Sequence, residues 1–126
     1  MIKSLGEGNT SKVYLGRSLE NGTFVAIKIL KEEFLSRDRE SIQSVHNEIT
    51  ILKNMHHMNI VAMQSFGDSG EVIKPSGRRI SNLVYISMEY VSGGLLFDLC
   101  QTMGAMGEHA GRFFITQLLD AVDYMH

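Results

Sequence analysis

Cysteine and proline are almost missing: Cys100 and Pro75 are the only ones in 126 residues. A lone thiol excludes an internal disulfide framework and fits a reducing compartment. No internal repeat or compositionally biased segment occurs. No apolar run approaches the roughly 20 residues that a membrane span needs. The opening residues MIKSLGEG turn polar too soon for a signal peptide. Charge of one sign is lacking as well: the formal net charge is −2, with 21% charged residues, which gives no basis for a nucleic-acid or anionic-membrane partner. What remains is an ordinary globular composition. At 44% hydrophobic the chain can build a core, and its length suits one small domain or part of a larger one. These observations predict a soluble, intracellular, cytoplasmic protein with no nucleic-acid or membrane partner.

Strand signals come first along the chain. Val13, Tyr14 and Leu15, then TFVAIKIL at 23–30, are rich in β-branched and aromatic residues. Residues 2–5 read as a strand before them. Asn21-Gly22 between the runs predicts a tight type I′ hairpin turn with positive φ at both central positions. Ile42, Val45, Ile49 and Leu52 then recur at helical spacing on one face, with Ser36 or Asp38 as N-cap. Two more strand-like runs follow, IVAMQSF at 60–66 and LVYISMEYV at 83–91. Between them, 67–82 collects turn formers and reads as a long surface connection carrying solvated Lys74, Arg78 and Arg79. Gly93-Gly94 breaks the chain before a short helix, LLFDLCQTM, and a longer one from Glu108. In the longer helix Phe114, Leu118, Ala121, Val122 and Met125 share a face. The order of three strands, helix, two strands and two helices predicts an α+β fold with an antiparallel sheet.

The stretch LGEGNTSKVYLG at 5–16 carries the first chemical signal. Two glycines one residue apart, small polar residues and an immediate return to β-formers suit a loop covering phosphates, because glycine admits close approach of a ligand to the main chain. They equally suit a plain glycine hairpin. Two familiar nucleotide loops fail: a dinucleotide-binding turn needs a third glycine and a following helix, and a P-loop needs a second glycine before the lysine and a hydroxyl residue after it. Ser11 and Val13 stand in those places. Lys28 interrupts the apolar run FVAIKIL, and Glu48 lies at the edge of the helical apolar stripe. A carboxylate turned toward a core is costly unless paired, and a strand lysine facing the same interior would be its partner. The alternative is a snorkelling lysine and a solvated glutamate.

Taken together, GEGNTSKV, VAIK, NEITILKNMHHMNIV and SMEYVSGGLLFDL resemble the N-terminal half of a eukaryotic-type protein kinase. The resemblance implies an N-lobe, a five-stranded antiparallel sheet plus one helix, over 1–91, and the first two helices of a C-lobe over 92–126. It implies an ATP site of Leu5, Gly6, Glu7, Gly8, Val13, Ala26, Lys28, Glu48, Met88, Glu89 and Val91. In the family the glycine loop closes over the phosphates, while Val13 and Ala26 pack on adenine. Lys28 holds the α- and β-phosphates and is oriented by Glu48. Met88 is the gatekeeper, and backbone groups of Glu89 and Val91 read the adenine edge.

Three positions depart from the family pattern: Ser11 at the third glycine, Met58 where proline is usual, and Leu95 where many relatives carry a ribose-contacting acid, with Asp98 a turn further on. The catalytic loop and the D-F-G motif do not occur, so this stretch holds no catalytic residue and no ligand for the Mg2+ expected of the whole enzyme. The implied function is transfer of the γ-phosphoryl of ATP to serine or threonine of a protein substrate. EYVSGGLLFDL resembles the calcium/calmodulin-dependent and AMP-activated groups. The 126 residues alone are expected to be inactive. The alternative is a non-catalytic, pseudokinase-like module that binds nucleotide or a partner, or an incomplete gene fragment.

Overall fold

The β-branched run at 23–30 sits at the centre of a sheet because it is apolar on both sides. In the computed structural model, which describes residues 3–126, the strands are β1 (Lys3–Glu7), β2 (Ser11–Arg17), β3 (Phe24–Leu30), β4 (Met63–Ile73) and β5 (Arg79–Glu89). Ile2 of the first expected strand lies outside the described residues. All pairings are antiparallel, in the order β1-β2-β3-β5-β4. The helices are α1 (Glu32–Leu35), α2 (Arg39–Asn54), α3 (Leu96–Met103) and α4 (Glu108–Met125).

Strand alternation divides the sheet into two faces. Val13 of β2 pairs with Lys28 of β3, which pairs with Ile86 of β5. On the same face Leu15 pairs with Ala26, and Ala26 with Met88. Onto this face α2 lays its apolar stripe: Val45 and Ile49 close a core with Leu30 and the fully buried Ile86, flanked by Phe34, Met63, Phe66 and Met88. Asp38 caps α2, accepting the Ser41 amide at 2.7 Å. Ser36, the other candidate cap, instead closes the four-residue α1, a turn of helix too short to show any periodicity in the sequence.

Two local expectations are corrected. The segment 67–82 is not a surface connection: β4 runs on to Ile73 and β5 begins at Arg79, so only a short turn remains, closed by Lys74 N–H donating to the Arg78 carbonyl at 2.9 Å. Gly77, at φ +80°, makes that turn, whereas Gly67 and Gly70 serve close packing. A Cβ on Gly67 would stand 2.5 Å from the Tyr85 ring, and one on Gly70 would stand 2.7 Å from it. Arg79, expected to be merely solvated, reaches Glu71 at 3.3 Å. The β2–β3 connection is also not type I′, since Gly22 has φ +72° while Asn21 is not in the left-handed region. Asn21 Oδ1 instead accepts from the Thr23 amide and hydroxyl at 3.1 and 2.7 Å. That local bond widens the turn, and Ser18 N–H donates to the Thr23 carbonyl at its base.

Chain contacts fall into two units. The first comprises Met1–Asn54 and Ala62–Tyr90; the second comprises Met55–Val61 and Val91–His126. In the second unit the short segment is fastened to α4. The His57 ring lies 4.9 Å from that of Tyr124, and its Nε2 lies 3.3 Å from Asp120 Oδ2. Asn59 N–H donates to His57 Nδ1 at 3.1 Å, which places the proton of a neutral imidazole on Nε2, facing Asp120. Asn59 Nδ2 donates to the same carboxylate at 3.0 Å, and His56 N–H donates to the Tyr124 hydroxyl at 3.0 Å. Of the face expected on α4, Ala121 is buried and Phe114 and Val122 are half-buried, while Leu118 and Met125 stay exposed. Among the described residues no helix is long and apolar enough to cross a membrane.

Candidate functional site

Lys28 is placed by its strand. Position 28 of β3 faces α2, because it shares strand parity with Leu30, which packs with Val45 and Ile49, and Ile86 of the same core lies directly across on β5. Glu48 is placed by its helix, one turn from both Val45 and Leu52. The two side chains meet, with Lys28 Nζ donating to Glu48 Oε1 at 2.5 Å. The lysine side chain is 21% exposed and the glutamate 42%, so the pair stands at the rim of the core, with water on one side. A charge-assisted bond in that setting fixes an ammonium without neutralising its capacity for a second anion, since Nζ has three donors.

Around this pair the register gathers several residues singled out in the sequence. Val13 is the cross-strand neighbour of Lys28, and Ala26 and Met88 are cross-strand neighbours of one another on the same face. Glu89 ends β5 opposite Val25 and is tied to Ala62 twice: its N–H donates to the Ala62 carbonyl at 2.9 Å, and its Oε2 accepts the Ala62 amide at 3.2 Å. Gly6 lies across from Val13, and Glu7 across from Lys12. Leu5 is exposed on β1. Val91, in the second unit, is exposed.

Gly6 and Gly8 stand in open space, as Gly93, Gly107 and Gly111 do. Neither has a positive φ, and a Cβ built on either would meet nothing within 4 Å. The chain's own packing therefore does not require glycine at these two positions. Ser11, which stands at the third glycine of the resembled pattern, is buried in β2 opposite Leu30.

One side chain near the loop escaped the sequence reading. Lys31 Nζ lies 2.7 Å from Glu7 Oε1 and donates to the Gly8 carbonyl at 2.8 Å. Lys12 Nζ reaches the same carboxylate oxygen at 3.3 Å. The hydrogen bond from Lys31, ahead of that from Lys12, holds the Glu7 carboxyl below its ordinary range. Nothing in the local pattern marks Lys31, a lysine just past an apolar strand. Concavities also open on the opposite face of the sheet, lined by Tyr14, Ile29, Val72 and Leu83, and they include neither Lys28 nor Glu48.

Known proteins similar to this chain are protein kinases. The protein kinase domain family model matches residues 1–126. CBL-interacting serine/threonine-protein kinase 16 of Arabidopsis thaliana is 32% identical over 122 residues, covering 97% of this chain and 24% of that protein. CBL-interacting protein kinase 1 of Oryza sativa subsp. japonica is 37% identical over 124 residues, 98% of this chain and 24% of that protein. Mitogen-activated protein kinase kinase kinase YODA of Arabidopsis thaliana is 36% identical over 126 residues, 97% of this chain and 13% of that protein. The chain thus spans about a quarter or less of the length of these relatives. With a strand lysine joined to a helix glutamate beside a glycine loop, and a family match along its whole length, the chain belongs to the protein kinase family.

Proposed function

We propose that this chain is the ATP-binding portion of a protein serine/threonine kinase, which transfers the γ-phosphoryl of ATP to a hydroxyl of a protein substrate. The observation that carries the reading is the 2.5 Å contact between Lys28 and Glu48 on the sheet face shared with Val13, Ala26 and Met88. An ammonium fixed in that way, partly desolvated, suits phosphate oxygens. Phosphoryl transfer depends chiefly on positioning and electrostatic stabilisation, so a lysine held in place is a working part of it.

Each candidate residue takes a role in this reading. The main chain of Leu5, Gly6, Glu7 and Gly8 covers the phosphates. The open space over Gly6 and Gly8 supports this, since glycine there admits a ligand where the chain itself makes no demand. Val13 and Ala26 give an apolar surface to the base, Met88 bounds the pocket, and backbone groups of Glu89 and Val91 read the adenine edge. Glu48 orients Lys28. The names of the relatives, which include a serine/threonine kinase, support the choice of acceptor.

Magnesium accompanies ATP in the family, but the described residues do not fit a metal site: no group of three His, Cys, Asp or Glu side chains gathers among them. No step of the reaction is assigned to a metal held by these residues.

The test is γ-phosphoryl transfer from radiolabelled ATP by the full-length protein carrying this sequence, followed by phosphoamino-acid analysis. The expected result is labelled serine or threonine, with Lys28→Met lowering turnover by orders of magnitude while the fold persists. Activity of Lys28→Met near the wild-type level overturns the assignment. Labelled tyrosine alone overturns the choice of acceptor.

A further inference from the structure

The roles above leave Lys31 unused, yet it holds the glycine loop more firmly than any other side chain described. Its ammonium bridges the Glu7 carboxylate at 2.7 Å and the Gly8 carbonyl at 2.8 Å, and its own amide donates to the Thr10 carbonyl at 2.9 Å. Gly8 N–H closes the loop onto the Ser11 carbonyl at 2.9 Å. Lys12 adds a 3.3 Å contact to the same carboxylate oxygen. The Lys31 side chain is only 22% exposed, so it is confined rather than free to exchange partners in water. Lys31 and Lys12 line the same concavity as Tyr14 and Ile29, on the side of the sheet away from Lys28. The grip therefore comes from outside the loop, and it leaves the other side of Gly6 and Gly8 open.

We propose that Lys31 is a positioning residue for nucleotide phosphates, clamping Glu7 and Gly8 so that the glycine loop stands formed before its ligand arrives. The inference rests on the nucleotide reading given above. A glycine-containing loop loses much backbone freedom on ordering. If nothing held it beforehand, that loss would fall on the binding of phosphates and weaken affinity. A ligand without phosphates does not engage the loop tip and is indifferent to the clamp. The two ammonium contacts share one lysine, so replacing Lys31 releases both, whereas Glu7→Gln weakens only the carboxylate contact.

The experiment measures the dissociation constants of ATP and of adenosine by calorimetry, using the full-length protein carrying this sequence. The variants are Lys31→Met, Lys31→Arg, Glu7→Gln and the double variant Lys31→Met/Glu7→Gln, each checked for an unchanged melting profile. Lys31→Met is expected to weaken ATP by about three- to fivefold, the scale of one partly exposed ion pair, and to leave adenosine unchanged. Lys31→Arg should recover most of the loss, and the double variant should be no weaker than Lys31→Met. Equal loss for ATP and adenosine would mean a general structural role and overturn the proposal. So would a Lys31→Met protein that binds ATP like the wild type, and in that case the nucleotide reading survives. A wild type that binds neither ligand removes the nucleotide reading and this inference with it.

Discussion

A double-mutant cycle on Lys28 and Glu48 bears directly on whether their contact is an energetic coupling or a coincidence of position. The perturbations are Lys28→Met, which keeps most of the stem's volume, and Glu48→Gln, which keeps an acceptor but removes the charge. Fully exposed ion pairs couple by about 0.2–1 kcal/mol, whereas breaking a buried pair costs about 3–5 kcal/mol because a charge is stranded. At 2.5 Å apart, with side chains 21% and 42% exposed, this pair lies between those limits. Glu48, the wetter partner, can rehydrate when Lys28 is lost, which keeps the single-mutant cost below that of full burial. We expect a coupling of about 1–2 kcal/mol, bracketed by those two limits. Urea unfolding of the wild type, both single variants and the double variant measures it, with the coupling read as the departure from additivity. Glu48→Asp, which keeps the charge but loses a methylene of reach, should resemble Glu48→Gln. A coupling within the roughly 0.3–0.5 kcal/mol scatter of independent sites would refute the reasoning and reduce Glu48 to a helix-surface acid.

Other substitutions test the frame that holds this pair. Ile86→Ala, at the fully buried centre of the sheet, should cost about 2–5 kcal/mol in urea unfolding. Gly67→Ala should destabilise by about 1–3 kcal/mol through overpacking, because the new methyl would lie 2.5 Å from the Tyr85 ring; Gly67→Ala combined with Tyr85→Leu should recover part of that loss. The Asp38 carboxyl is held below its ordinary value chiefly by the Ser41 amide, so its capping contribution is present above the unfolded value of about 4 and lost as pH falls through the lowered folded value. Melting curves taken through that acid range should therefore fall less steeply for Asp38→Asn than for the wild type. Tyr124→Phe removes the acceptor of the His56 amide and should cost about 0.5–1.5 kcal/mol in thermal unfolding.

What the sequence reveals depends on how far each signal reaches. The α2 stripe and the β3 run are legible because side-chain period alone defines them. Lys28 and Glu48, 20 residues apart, are legible for a related reason: each interrupts an apolar pattern, and two interruptions facing one core need each other. The β4–β5 hairpin is misread because its glycines and polar residues favour a loop locally. What makes it a sheet is the Tyr85 ring lying over Gly67 and Gly70, a cross-strand fact with no local signature. The β2–β3 turn is misjudged because the Asn21 side chain bonds to Thr23, a competing local choice that the Asn-Gly pair does not exclude. Lys31 is missed because its partners, Glu7 and Gly8, belong to a loop whose path only the fold determines. Its neighbours Glu32 and Glu33 make it look like part of a solvated charged run.

The fastening of Met55–Val61 to α4 has a consequence for the order in which the protein can be made. His56 leaves the ribosome 68 residues before the Tyr124 hydroxyl that accepts its amide, and Asn59 leaves 61 residues before Asp120. At about 5–20 residues per second, the segment waits roughly 3–14 s for its partners, hydrated and untethered. Once Glu89 has emerged, about midway through that interval, β4 and β5 are complete and available to pair with β3. The sheet can therefore close while the link between α2 and β4 is still slack, and α4, synthesised later, tightens that earlier connection.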